Sequence, residues 1–146
     1  MVMENTTQHL VNEWLAIWNG EYSPAQRVIS ADFSVHAAML DGGDGSALHG
    51  PDALVEWVAQ LRAVCTDLVF TIEVGPITAD RHVALRWVAT GAYAGGFPGA
   101  TAAAGTPIHF TGTDILRVED GQFAEYWLNS DVHVLLAQLG FLAPQP

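Results

Sequence analysis

Two titratable side chains stand out for chemistry because of the residues around them. Asp114 interrupts the run Phe110 to Leu116, which is otherwise apolar or threonine-rich and lies within a stretch that reads as a strand. An acid on the inner face of such a strand, facing Trp87 and Phe110, loses solvation, and that disfavours its ionised form. A carboxyl in that state can pass a proton near neutral pH or donate a hydrogen bond to a carbonyl. The competing reading is a carboxylate on the outer face of the sheet or paired with an arginine, and burial decides between the two. His36, on an apolar stretch before a glycine-rich loop, is the second candidate. A neutral imidazole there can serve as a base, although a hydrogen-bonded structural histidine fits the same pattern.

The remaining polar groups read more plainly. His49, Asp41 and Asp44 lie in the glycine-rich loop and are expected to be solvated turn residues. His82 opens a strand and His109 falls on the face opposite Asp114, so both are surface or interface positions. Asp131 and His133 sit two apart on a helix and do not share a face, so no metal site is readable. Cys65 is the single cysteine. It can form no intramolecular disulfide or thiolate cage, and it is expected to act as a small hydrophobe.

These residues need elements to hold them. Leu10, Val11, Trp14, Leu15 and Trp18 mark one face of a helix from Thr6 to Asn19, stopped by Gly20. Ser23-Pro24 reads as cap and first position of a short helix through Ile29. Phe33 to Met39 is extended and is followed by the loop Asp41 to Gly50. Pro51 restarts a helix with Leu54, Trp57, Val58, Leu61 and Val64 at helical spacing, ending near Cys65. Leu68, Phe70, Ile72 and Val74 alternate as a strand that Gly75-Pro76 should end. His82 to Tyr93, Ile108 to Val118 and Gln122 to Asn129 are further strands. The last two are joined by a hairpin turn at Glu119-Asp120-Gly121. Ala94 to Gly105 is a flexible loop, and Ser130 caps a last helix that reaches Leu139. Helices first and then a meander of antiparallel strands make this an α+β chain.

Composition narrows the partners. The 146 residues suit one domain, and half of them are hydrophobic. Sixteen acids face five arginines and no lysine, for a net charge of −11. That sign repels nucleic acid and anionic lipid. The absence of lysine removes Schiff-base catalysis. The first eight residues do not resemble a secretory signal and no apolar run approaches a membrane span, so a cytoplasmic protein is expected.

The stretches DRHVALRWVATGAYAGGFPG (80–99), FTGTDILRVEDGQFAEYW (110–127) and NSDVHVLLAQLG (129–140), with HGPDALVEWVAQLR (49–62) upstream, resemble the SnoaL-like proteins of the nuclear transport factor 2-like superfamily. The resemblance covers nearly the whole chain. It implies a cone-shaped, curved antiparallel sheet with N-terminal helices on its concave face, commonly a homodimer. The superfold hosts cyclases, epoxide hydrolases, ketosteroid isomerase, dehydratases and binding modules, so it does not fix function. The resemblance puts the aldol cyclases' acid/base aspartate on Leu128 and its histidine partner on Asp114. The Asp-Arg-Asp set of limonene epoxide hydrolase falls on Trp87, Ala89 and Leu128, which cannot polarise a water. Asp114-Ile115-Leu116-Arg117-Val118 is similar to the strand bearing the neutral oxyanion-hole acid of ketosteroid isomerase. The isomerase base falls near Ala37, beside His36.

Two functional readings follow. The leading one is a SnoaL-like enzyme acting on an apolar oxygenated substrate, polyketide-like or a cyclic ketone. Its chemistry would be proton transfer, cyclisation or isomerisation, with Asp114 as acid and His36 as base and no cofactor required. The other is a non-catalytic ligand-binding member, favoured by apolar residues at three catalytic positions of relatives. Trp14 and Trp57, on helix faces that pack on the sheet, are candidate ligand contacts, as are Trp87, Phe110, Tyr126 and Leu128. An outer face with Val88, Thr90, His109, Thr111 and Thr113 is expected to bury in a homodimer. If Asp114 has no partner, replacing it by leucine should cost little stability, because a desolvated acid is removed.

Overall fold

The computed structural model describes residues 2–39 and 42–141; Asp41, one of the loop acids considered above, lies outside them. The elements in chain order are α1 (Val2–Trp18), α2 (Ala25–Val28), β1 (Ile29–Ala37), α3 (Gly50–Val64), β2 (Cys65–Ala79), β3 (His82–Tyr93), β4 (Pro107–Glu119), β5 (Gln122–Ser130) and α4 (Val132–Gln138). The strands form one curved, unclosed sheet in the order β1-β5-β4-β3-β2.

Alternation sets which residues face the core. Val83, Leu85, Trp87 and Ala89 point inward from β3, and Ile108, Phe110, Asp114 and Leu116 from β4. The helices cover that inner face. Trp14 of α1 packs edge-on against Phe123 and Tyr126 at 5.6 and 4.8 Å, and Leu54 and Val58 of α3 are fully buried. Two-residue turns close the β2–β3 and β4–β5 hairpins, with Ala79 opposite His82 and Glu119 opposite Gln122. Asp120 and Gly121 both take positive φ, as a turn that follows the strand twist requires.

Several boundaries differ from the sequence expectation. β1 starts at Ile29 rather than Phe33 and lies parallel to β5, not within a purely antiparallel meander. Because α3 intervenes, no hairpin ties β1 to its successor, and it adds beside the last strand instead. β2 continues through Gly75-Pro76 to Ala79, with pairing resumed at Ile77 opposite Ala84. β2 is an edge strand, so Pro76 forfeits no internal ladder bond. Cys65 opens β2 rather than closing the helix, and it is buried. Neither serine caps as expected. Ser23 Oγ donates to the Glu21 carboxylate, and Pro24 holds the cap position of α2. Asp131 holds that of α4, its carboxylate accepting the Thr111 hydroxyl at 2.5 Å.

Candidate functional site

A cavity of about 330 Å³ lies between the inner face of the sheet and the helices. Its wall is mostly apolar and rich in aromatic rings. α1 contributes Trp14 and Trp18, α3 contributes Trp57, and the strands contribute Phe70, Trp87, Phe110 and Tyr126. Leu128 and Ser130 of β5 and Leu135, Leu136 and Leu139 at the C-terminal end complete much of the rest. The size falls at the small end of pockets that enclose a small organic molecule.

Asp114 is the buried charged residue of this structure among the described residues, 2% exposed. Its neighbours across β3 and β5 are Leu85 and Leu128, so no cation flanks it in the sheet. Three uncharged donors from three elements converge on it. Trp87 Nε1–H and Tyr126 O–H donate to Oδ1 at 2.9 Å each, and Trp14 Nε1–H donates to Oδ2 at 3.1 Å. Burial pushes the carboxyl up to about 6, while the bonds from Trp14, Trp87 and Tyr126 oppose the rise. Burial also pushes the Tyr126 phenol upward, reinforced by the negative charge of Asp114 beside it. Asp114 is therefore an acid whose proton is exchangeable near neutral pH, in a wall without arginine or lysine.

Trp14, Trp57, Trp87, Phe110, Tyr126 and Leu128 all line this cavity with Asp114. His36 does not. Phe33, Val35 and Ala37 are the inward residues of β1, so His36 projects from the other face, half-exposed. There its ring stacks on Trp127 at 5.3 Å, and Nε2 lies 2.6 Å from a carboxylate oxygen of Glu125. The expected pairing of His36 with Asp114 across one cavity is corrected by this placement. The alternation of Phe33, Val35 and Ala37 already carried the signal. His82 leans on the same Trp127 at 5.9 Å, and His109 is exposed on the outer face.

Sequence reasoning passed over Trp18 and Ser130 in the wall. It also read the loop from Ala94 to Gly105 as flexible, whereas hydrogen bonds fasten it to the end of α4 and to Tyr93. Thr101 and Ala102 N–H donate to Leu139 O, and Phe97 N–H donates to the Tyr93 hydroxyl at 2.8 Å. That holds Phe97 in the cavity wall. Trp18 Nε1 has no hydrogen-bond acceptor among the described residues. Nor do any three of their His, Cys, Asp and Glu side chains form a group that could hold a metal ion.

A family model described as SnoaL-like polyketide cyclase matches residues 8–139. The chain belongs to the SnoaL-like polyketide cyclase family. Solved structures agree on the fold. TsrD from Streptomyces laurentii superposes with a TM-score of 0.75 at 22% identity, covering 94% of this chain and 97% of TsrD. IdmH from Streptomyces antibioticus, provisionally assigned as a polyketide cyclase, gives 0.76 at 25% identity, covering 91% and 97%. AclR from Streptomyces galilaeus, provisionally assigned as a hydroxylase, gives 0.75 at 23% identity, covering 95% and 87%. A search of curated proteins returns no match. Within this SnoaL-like chain, the family-derived positions Leu128 and Trp87 lie in the cavity wall, and Ala89 and Ala37 are buried. No helix of the described residues is long and apolar enough to cross a membrane.

Proposed function

We propose that this SnoaL-like protein moves a proton on an apolar, oxygenated small molecule of polyketide-like or cyclic-ketone type, with Asp114 as the acid/base group. The observation that carries the reading is a lone carboxyl, raised to about 6, in the wall of an apolar cavity rich in aromatic rings. An acid of that strength is matched to proton transfer near neutral pH. The carboxylate would take a proton from a carbon next to a carbonyl, leaving the C–H electron pair as an enolate. The neutral carboxyl would then return the proton to carbon or oxygen, so no oxidant or cofactor enters the balance. The unpartnered Trp18 N–H in the wall supports an oxygenated ligand.

One observation favours the rival reading of a non-catalytic binding member. The titratable side chains in the cavity wall are Asp114 and Tyr126, and they are bonded to each other. The test screens polyketide-like and cyclic ketones by thermal shift, then follows exchange of the hits' α-protons in deuterated water by NMR. Exchange abolished in Asp114→Asn with binding retained is the expected result. Exchange unchanged by that substitution would remove Asp114 from the chemistry, and binding without any exchange would establish the rival.

We also infer a homodimer formed through the outer sheet face. Val88, Thr111 and Thr113 are half-buried there, and Thr90 and His109 are exposed, beside Ile115 at 41% exposure.

A further inference from the structure

Gly112 lies on the inner face of β4, two residues before Asp114, between Trp87 of β3 and Ser130 of β5. Its φ lies outside the left-handed region, so backbone conformation does not call for glycine. Glycine inside a strand weakens it and marks a close approach. The close approach here is the Trp87 indole. A Cβ at position 112 would overlap Cζ2 of that ring and stand 2.7 Å from Cε2 and 2.8 Å from Cη2. Phe70 and Phe110 hold the same indole edge-on at 5.2 and 5.4 Å, so it has no free side to retreat to within the sheet face. In this pose its N–H reaches Oδ1 of Asp114.

We propose that Gly112 is a positioning residue, whose missing side chain is the slot that lets Trp87 lie across β4 and keep its N–H on Asp114. Its bearing on turnover rests on the reading of Asp114 given above, whereas the positioning itself does not. Gly112→Ala must drive the indole toward the cavity and off the carboxylate. Losing one of three donors to the charged form raises the proton affinity of Asp114 further.

The test needs no substrate. Carbon-13 NMR of the aspartate carboxyls and nitrogen-15 NMR of the tryptophan indoles are followed against pH in four proteins. These are wild type, Gly112→Ala, Trp87→Phe and the double variant. In wild type the Trp87 indole resonance should track the Asp114 titration. In Gly112→Ala that tracking should vanish, and the Asp114 midpoint should rise by roughly 1 pH unit, the worth of one hydrogen bond to a charged group. Trp87→Phe should give the same rise. Adding Gly112→Ala to it should add nothing, because phenyl has no atoms at Cζ2 or Cη2. An unchanged midpoint with tracking intact in Gly112→Ala, or additive shifts in the double variant, would overturn the proposal. If Gly112→Ala does not fold, rescue by Trp87→Phe supports the slot, and failure of the double variant as well refutes it. Turnover that survives Asp114→Asn would defeat the functional reading and leave these titrations untouched.

Discussion

The carboxyl of Asp114 makes folding sensitive to pH in an unusual direction. Its folded value of about 6 exceeds the ordinary 3.8, so the folded chain binds the proton more tightly than the unfolded chain. Stability from this group is full below about pH 4 and is lost as pH rises through 6, a change of roughly 3 kcal/mol. Asp114→Asn should flatten that segment of a urea-denaturation profile measured from pH 4 to 7. A slope unchanged by the substitution would contradict the raised value. Asp114→Leu behaves otherwise than its sequence context implied. It orphans the Trp14, Trp87 and Tyr126 donors, each at about 1–3 kcal/mol, so a large loss of stability replaces the small one first expected. The acid itself was legible, as a charge in an apolar strand. Trp87 was legible as a facing residue, but the bond from Trp14 was not, since that residue lies 100 residues away in sequence and no local pattern links the two.

Among the elements, α1 has to be pinned for Trp14 to reach the site. Asn19, just past its end, accepts the Phe70 N–H at 2.7 Å and donates to the Phe70 carbonyl at 3.1 Å. Arg62 of α3 adds bonds to the carbonyls of Trp18 and Leu68. These side chains tie helix ends to the edge strand β2. Asn19→Ala should cost about 1–3 kcal/mol and also shift the Trp14 indole resonance, which a purely local loss would leave in place. An unshifted Trp14 signal would mean that α1 is held by packing alone. Periodicity located β3 to the residue and most of the helix faces, missing the buried Ile17 of α1, because burial of one face imposes a period on the sequence. It could not locate the parallel pairing of β1, or the passage of β2 through Pro76, because both depend on which strand lies next door.

For the whole molecule, charge and surface act against each other. A chain carrying −11 repels its copy, while the Thr- and Val-bearing outer face favours contact. Light scattering should give twice the 15.7 kDa chain mass, with the dimer tightening as salt screens the repulsion. Ile115→Asp, on that face, should return the monomer mass without unfolding. A monomer in wild type at micromolar concentration would refute the dimer and leave the cavity argument intact. The superfamily resemblance carried the fold class correctly because it spans nearly the whole chain. It could not carry the reaction, because the positions that distinguish the relatives hold Leu128, Trp87 and Ala89 here.

The 100-residue span between Trp14 and Asp114 has a meaning in time. At roughly 5–20 residues per second of synthesis, the segment that carries Trp14 is made about 5–20 s before its carboxylate. β1 waits in the same way for β5, its strand neighbour in the sheet. Until β5 is made, the tryptophan face of α1 lacks the Phe123 and Tyr126 rings it packs on, and its closure waits for that strand. Such long-range pairing folds slowly. The interval before closure is when the nascent chain is most exposed to aggregation, and when a chaperone has most to protect.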